Sequence, residues 1–273
     1  MKNFFNVLIF IVSCASPLFG IVQHAPSIDI VERCVDSLDD QALVVFDVDA
    51  TLIQPRDRIR WKCCQDYRRK AFEKFPVSKE ELDRVMSLID LRAKFFLLEP
   101  MTHHLIEKLE KKNIRTIALT AMNPGKSGLI PDKEEWRFES LHNLGIDFER
   151  SFPGLNRINF EEFEGKEGVV PSFRHGIISS SAHPKGEVLC SFLKQINWKP
   201  SVIIFVDDKI EQVDSVEKEL NNLNIPHIAF HYTFVEDHPI QLDEKVASFQ
   251  VDHLFKYNEW LGEEEAKTMM DNN

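Results

Sequence analysis

The stretch LVVFDVDATL at residues 43–52 constrains the fold more than any other part of the chain. Residues 43–46 are uninterruptedly apolar, β-branched or aromatic, as expected of a strand buried on both faces of a parallel sheet. Asp47, Asp49 and Thr51 then follow at every second position. Like charges in a partly dry site repel and raise one another's pKa unless a cation lies between them. A buried strand that ends on two acids therefore needs a partner at its tip.

The rest of the chain repeats the strand and helix alternation. Strand-like runs occur at residues 42–46, 114–119, 176–180, 202–206 and 227–230. Apolar residues at helical spacing cover 79–98, 101–112, 133–144, 185–196 and 211–223. This order predicts an α/β fold, a three-layer Rossmann-like parallel sheet covered by helices on both faces. Its core is expected from residues 21–51 and 99–262, with a mostly helical cap insertion at 52–98. Residues 123–183 hold a helix and an irregular stretch rich in Phe, Glu and Gly, read as a second small insertion with room for a β-hairpin. Residues 263–273 are expected to fray. With 273 residues, 43% of them hydrophobic, the chain can bury one substantial core.

A formal net charge of -11 argues against nucleic acid or an acidic membrane surface as partner, since either needs a basic face. Residues 1–20 read as a signal peptide: Lys2 precedes an apolar run at 4–12, and small residues follow at Ser13, Ala15 and Ser16. The run is short of the roughly 20 residues of a membrane span. Export to the periplasm or the medium is the expectation. Cutting after Ala15 fits a small-x-small pattern, whereas IVSC at 11–14 loosely resembles a lipobox that would leave Cys14 lipidated; the soluble form is preferred. Cys34, Cys63, Cys64 and Cys190 lack any C-x-x-C spacing and read as ordinary thiols.

In an open parallel sheet, ligands bind outside the carboxyl ends of the strands. There the chain delivers Asp47, Asp49 and Thr51 after one strand, Thr120 after the next, Lys185 ahead of a helix, and Asp207 with Asp208 after a fourth strand. A divalent ion relieves the repulsion among so many acids, and an oxygen-only ligand set suits magnesium. Taken singly, each has a plainer reading: Asp47 can cap a turn, and Asp207 with Asp208 can open a helix whose dipole favours acids.

VVFDVDATL, IALTAM, HPKGEVL and IIFVDDK, in that order, resemble the four motifs of the haloacid dehalogenase-like (HAD) hydrolase superfamily. The resemblance runs from about residue 42 to about residue 230, and it implies a magnesium-dependent phosphatase. Asp47 would be the nucleophile that becomes an aspartyl phosphate, and Asp49 the general acid and base. Superfamily members acting on carbon-halogen bonds lack an acid at the position of Asp49. Thr51 would steady the loop, Thr120 and the neighbouring Ala121 would meet the phosphate, and Lys185 would neutralise its charge. Magnesium would be held by Asp47, Asp208 and the backbone carbonyl of Asp49, with Asp207 as neighbour or alternate ligand. Two departures stand out. Ala50 replaces a common glycine, and Gln212 and Val213 stand where a further Asp often follows the fourth motif.

The expected substrate is a phosphorylated small molecule or a phosphoprotein. The competing readings are a catalytically silent HAD-fold binding or effector protein engaging a partner, and a receiver-like domain, against which the late double acid counts. Residues 56–74 carry eight Lys or Arg against three acids, which reads as a cap that draws an anion over the site or as a solvated helix face. NPGKSG at 123–128 lacks the first glycine of a P-loop, since Thr120 stands in its place, and reads as a loop leading to a helix. His103, His104, His227 and His231 have no carboxylate at ligand spacing and read as surface or strand residues.

Overall fold

The structure is a computed structural model and describes residues 20–163 and 169–272. The expected signal peptide and Cys14 lie outside the described residues apart from residue 20.

The first part of the chain forms β1 (Ile21–Ala25), α1 (Ile28–Val35) and β2 (Leu43–Phe46), followed by β3 (Ile53–Pro55), α2 (Gln65–Glu73), α3 (Lys79–Arg92) and β4 (Phe95–Leu97). Next come α4 (Met101–Lys111), β5 (Arg115–Thr120), α5 (Lys133–His142), β6 (Ile158–Asn159), β7 (Ser172–Arg174), β8 (Ile177–Ser179) and α6 (Lys185–Gln195). The chain closes with β9 (Ile203–Asp207), α7 (Ile210–Asn222), β10 (His227–Tyr232), α8 (Phe234–Asp237), α9 (Glu244–Tyr257) and α10 (Glu263–Asp271).

Eight strands form one sheet in the order β1-β10-β9-β2-β5-β8-β7-β6. It is mixed but mostly parallel: β1, β10, β9, β2, β5 and β8 pair in parallel, while β7 runs antiparallel to both of its neighbours. From β2 the chain moves outward through β5 to β8, then returns to the other side of β2 through β9 and β10. The strand order therefore reverses beside β2, the position at which open α/β sheets generally bind their ligands.

Side-chain alternation along the strands builds two separate cores. Leu43 and Val45 of β2, with Ile203 and Phe205 of β9, face Val188 and Phe192 of α6 and Val213 and Val216 of α7. Val44, Phe46, Ile204 and Val206 face Val31 of α1 and Leu105 of α4. This is the expected three-layer arrangement.

Several elements depart from expectation. β1 adds a parallel edge strand, held in register from Ile21 opposite Ile228 to Ala25 opposite Tyr232. Residues 79–98 form a helix only as far as Arg92; Ala93 turns extended, and Phe95, Phe96 and Leu97 pair with Pro55, Gln54 and Ile53 in a small antiparallel ribbon. Aromatic residues prefer the half-buried pleat, which explains the switch. The segment between residues 123 and 183 does contain a hairpin, β7–β8, but it widens the main sheet.

Within the stretch expected to fray, Glu263–Asp271 form α10 instead, and Ala266 is buried. Its first turn is held by a carboxylate distant in sequence. Buried Asp57 accepts from the Glu263 N–H at 2.7 Å and from Trp260 Nε1 at 2.9 Å, while the Glu263 carboxylate accepts from Arg58 Nε at 2.8 Å. A third core joins the insertion to the carboxyl-terminal helices: Ile59, Ala71, Val85 and Ile89 pack with Ala247, Val251, Leu254 and Trp260. The expected cap and α9 thus share one apolar interior. No helix among the described residues is long and apolar enough to cross a membrane.

Asp57→Ala orphans two buried donors and is expected to lower unfolding stability by about 2–3 kcal/mol in a urea titration. A change within experimental error would mean that the carboxyl-terminal helices are not fastened through this carboxylate.

Candidate functional site

Sheet register brings the first acids together. Phe46 lies opposite Val206, and the Asp47 N–H donates to the Val206 carbonyl at 2.8 Å, so Asp47 and Asp207 sit side by side at the tips of β2 and β9. Both continue the stripe of odd-numbered residues that faces α6 and α7. Lys185 opens α6 on that face. Its ammonium donates to Asp47 Oδ1 and, at 2.6 Å, to Asp207 Oδ2. Gly186 lets α6 lie this close, because a Cβ there would meet the Ser215 backbone oxygen at 2.2 Å. Gln212 helps to seat the same helix, its Oε1 accepting from the Lys185 N–H at 3.1 Å.

Asp208 completes the group. Ligand oxygens of Asp47, Asp207 and Asp208 all fall within 4.8 Å of one another, and all three residues are buried. Lys62 of the insertion donates to Asp208 Oδ2 at 3.1 Å, and Thr51 Oγ1 donates to Asp47 Oδ2 at 3.3 Å. Ala50 holds the intervening turn in the left-handed region at φ 64°, where a glycine would sit without strain.

Electrostatics follow from this crowding. Burial, reinforced by Asp207 and Asp49 against the pull of Lys185, pushes Asp47 up to about 6. Burial likewise raises Asp207 and Asp208, the latter helped by Asp47. For Lys185, burial opposes the charge, but Asp47 and Asp207 outweigh it and the pKa is raised. Two lysines, one of them half exposed, face three carboxylates. The candidate donor set is made of oxygens alone, the ligand type that hard divalent cations take.

Other expected residues stand apart. Asp49, with its side chain 51% exposed, turns away from the cluster and accepts from Arg137 Nη2 at 2.8 Å. Thr120 is buried at the end of β5, next to β2, and its Oγ1 accepts from the Met122 N–H at 3.4 Å. Ala121 lines a cavity of about 540 Å³ with Ser181, His183, Pro184 and Gln212. Neither Thr120 nor Ala121 has a hydrogen bond to the acids among the described residues. Residues 123–128 form the loop before α5; His103 and His104 are exposed on α4, and His227 and His231 lie in β10. The four cysteines described are free.

Lys62 and Arg137 escape a reading of the sequence alone. Lys62 belongs to the basic excess at 56–74, of whose eight members three turn to other carboxylates: Arg58, Arg60 and Arg69 pair with Glu263, Asp90 and Glu73. Arg137 lies in an amphipathic helix with nothing in its local sequence to single it out.

Fold and site together define an α/β protein with a lysine-bridged carboxylate cluster at the switch point of a mostly parallel sheet. The family described as "Protein of unknown function (DUF2608)" matches residues 24–267, and the chain belongs to it. Its relatives include an uncharacterized protein of Rickettsia bellii, 29% identical over 203 residues, 71% of this chain and 69% of the relative. An uncharacterized protein of Rickettsia prowazekii is 34% identical over 130 residues, 46% of this chain and 44% of the relative. The match thus spans less than half the length of the second protein. No solved structure matches.

Native Asp47 holds its proton more tightly than in the unfolded chain, so its contribution to stability is lost as pH rises from about 4 to about 6. Lys185→Met strips the cation from this cluster and is expected to cost about 3–5 kcal/mol near neutral pH, with a smaller loss at about pH 5, where the carboxylates can protonate. Denaturant unfolding at both pH values checks this; an equal loss at each would refute the coupling.

Proposed function

We propose that this protein is a magnesium-dependent phosphomonoester hydrolase of the HAD type, with residues 52–98 as its cap, working through a phosphoryl group carried transiently on Asp47. The observation that carries the reading is the ion bridge from Lys185 to Asp47 and Asp207 at neighbouring strand tips, with Asp208 beside them. The signal-like residues 1–20 add the reading that it acts after export.

In the first half-reaction an Asp47 carboxylate oxygen forms a bond to phosphorus while the bond to the leaving oxygen breaks, and Asp49 delivers a proton to that oxygen. In the second, Asp49 takes a proton from water, whose oxygen attacks phosphorus and releases Asp47. Lys185 offsets charge shared by Asp47 and the phosphoryl group, and Thr51 orients the carboxylate. Asp49 is free of the carboxylate cluster and open to solvent, as a group that exchanges protons with both leaving group and water needs to be. Thr120, at the end of β5 beside β2, and Ala121 after it would meet the phosphoryl oxygens. Magnesium, when held by Asp47, Asp208 and the Asp49 carbonyl with Asp207 beside them, supplies positive charge to the transferring oxygens.

Purified protein is expected to hydrolyse a generic aryl phosphate with magnesium and to lose activity on chelation. Asp47→Asn should lower turnover roughly a thousandfold or more while leaving the circular dichroism spectrum unchanged. Retained activity would remove Asp47 as nucleophile.

Magnesium about a hundredfold above its Kd should stabilise the protein by about 2.7 kcal/mol at neutral pH. That gain should shrink as pH falls through about 6, where Asp47 takes up a proton. A thermal-shift series with no pH dependence would contradict the ligand assignment.

A further inference from the structure

The proton donor's surroundings contain a second, unbalanced cluster. Arg137 is 5% exposed at its side chain; Nη2 reaches Asp49, but its Nε and Nη1 are buried and have no hydrogen-bond partner among the described residues. Arg60 repeats the pattern: Nη2 donates to Asp90 at 2.7 Å while Nη1 is buried with no hydrogen-bond partner among the described residues. Lys133 Nζ donates to the other oxygen of Asp90, also at 2.7 Å. Aromatic rings draw these cations together. The guanidinium carbons of Arg60 and Arg137 lie 5.6 and 5.7 Å from the Phe95 ring centre, and Lys133 Nζ and the Arg137 guanidinium carbon lie 3.9 and 4.8 Å from that of Trp136.

Among the described residues, three cations thus share two carboxylates, Asp49 and Asp90, and three buried nitrogens lack an acceptor. Buried donors are rarely left unmatched, and charged ones least of all. Arg60, Asp90 and Phe95 come from the insertion and its edge, whereas Lys133, Trp136 and Arg137 come from α5, so the cluster sits at the seam between the two.

We propose that this seam is a binding subsite for a second anionic group on the substrate, a carboxylate or a phosphate on the part of the molecule that leaves with the alcohol. The proposal rests on the phosphatase reading for its orientation: Asp49 protonates the leaving oxygen, so the alcohol portion lies on its side of the phosphorus, beside Arg137. A planar or tetrahedral anion offers two or more acceptor oxygens in the spacing that a guanidinium fork matches. It also supplies the missing negative charge. The three nitrogens are enclosed in this conformation, so the insertion shifts against α5 as the anion enters, and half-exposed Asp49 marks the open side. Asp90, shared between Arg60 and Lys133, is the contact that such a shift exchanges for substrate.

Kinetics on matched pairs of phosphomonoesters test this: phosphoglycolate against ethyl phosphate, a glycerate phosphate against glycerol phosphate, and a sugar bisphosphate against its monophosphate. At least one two-anion member should exceed its partner in kcat/KM by about tenfold or more. Lys133→Met should bring that ratio close to unity, and Arg60→Gln provides the same reading should the lysine variant fail to fold. A second measurement is independent of turnover. In Asp47→Asn protein without magnesium, malonate and pyrophosphate should change Trp136 fluorescence saturably, with Trp136→Phe as the background and Lys133→Met weakening the response about tenfold. Aryl phosphate turnover with neither pair preference nor fluorescence response would overturn the subsite while leaving the phosphatase reading intact. A saturable response without any turnover would remove the phosphatase reading and uphold an anion site. Absence of both would overturn both.

Discussion

A buried ammonium between two buried carboxylates governs this molecule. Asp47 and Asp207 are brought side by side by the register of two parallel strands, which apolar packing on both faces determines. Left alone, such a pair would protonate or open the strand ends to water. Lys185 prevents that, and it can do so only because Gly186 and Gln212 seat the start of α6 against α7. The ion bridge is thus a consequence of helix packing. Asp208, directed toward the insertion and Lys62, adds a third carboxylate whose charge the protein only partly offsets.

The insertion is not an independent lid hung on two hinges. Its helices share an apolar interior with α9, and Asp57 and Arg58 fasten the start of α10. Any movement of the insertion over the carboxylates therefore carries the carboxyl-terminal helices with it or separates an apolar interface from them. Against α5 the contacts are different in kind: an aspartate shared by two cations, aromatic rings in contact, and guanidinium nitrogens without acceptors among the described residues. A polar seam on one side and an apolar one on the other suit a body that shifts along the first and stays fixed to the second.

The central strands are legible in the sequence because burial on both faces leaves a continuous apolar run, and the acids are legible because they end such runs. Asp47, Thr51, Lys185, Asp207 and Asp208 do converge, as strand-end placement predicts. Asp49 is legible as an acid but not in its direction: its partner Arg137 lies 88 residues away in a helix whose periodicity gives no sign of a functional face. β1 and β4 escape notice because a short edge strand and a three-residue ribbon carry too little pattern to separate from coil or from the end of a helix. The carboxyl-terminal helix is hidden for a related reason. LGEEEAKTMMDNN looks like a solvated tail until Asp57, some two hundred positions earlier, supplies the acceptor for its first turn.

The central claim is that the carboxylate held by Lys185 accepts a phosphoryl group. It is tested most directly by incubating Asp49→Asn protein with magnesium and an aryl phosphate, then mapping the adduct by borohydride reduction and peptide mass spectrometry. The account predicts one phosphoryl group per chain, located on Asp47 and stalled there because no base activates water. A phosphoryl group on any other residue, or hydrolysis at an undiminished rate with no adduct formed, would contradict it.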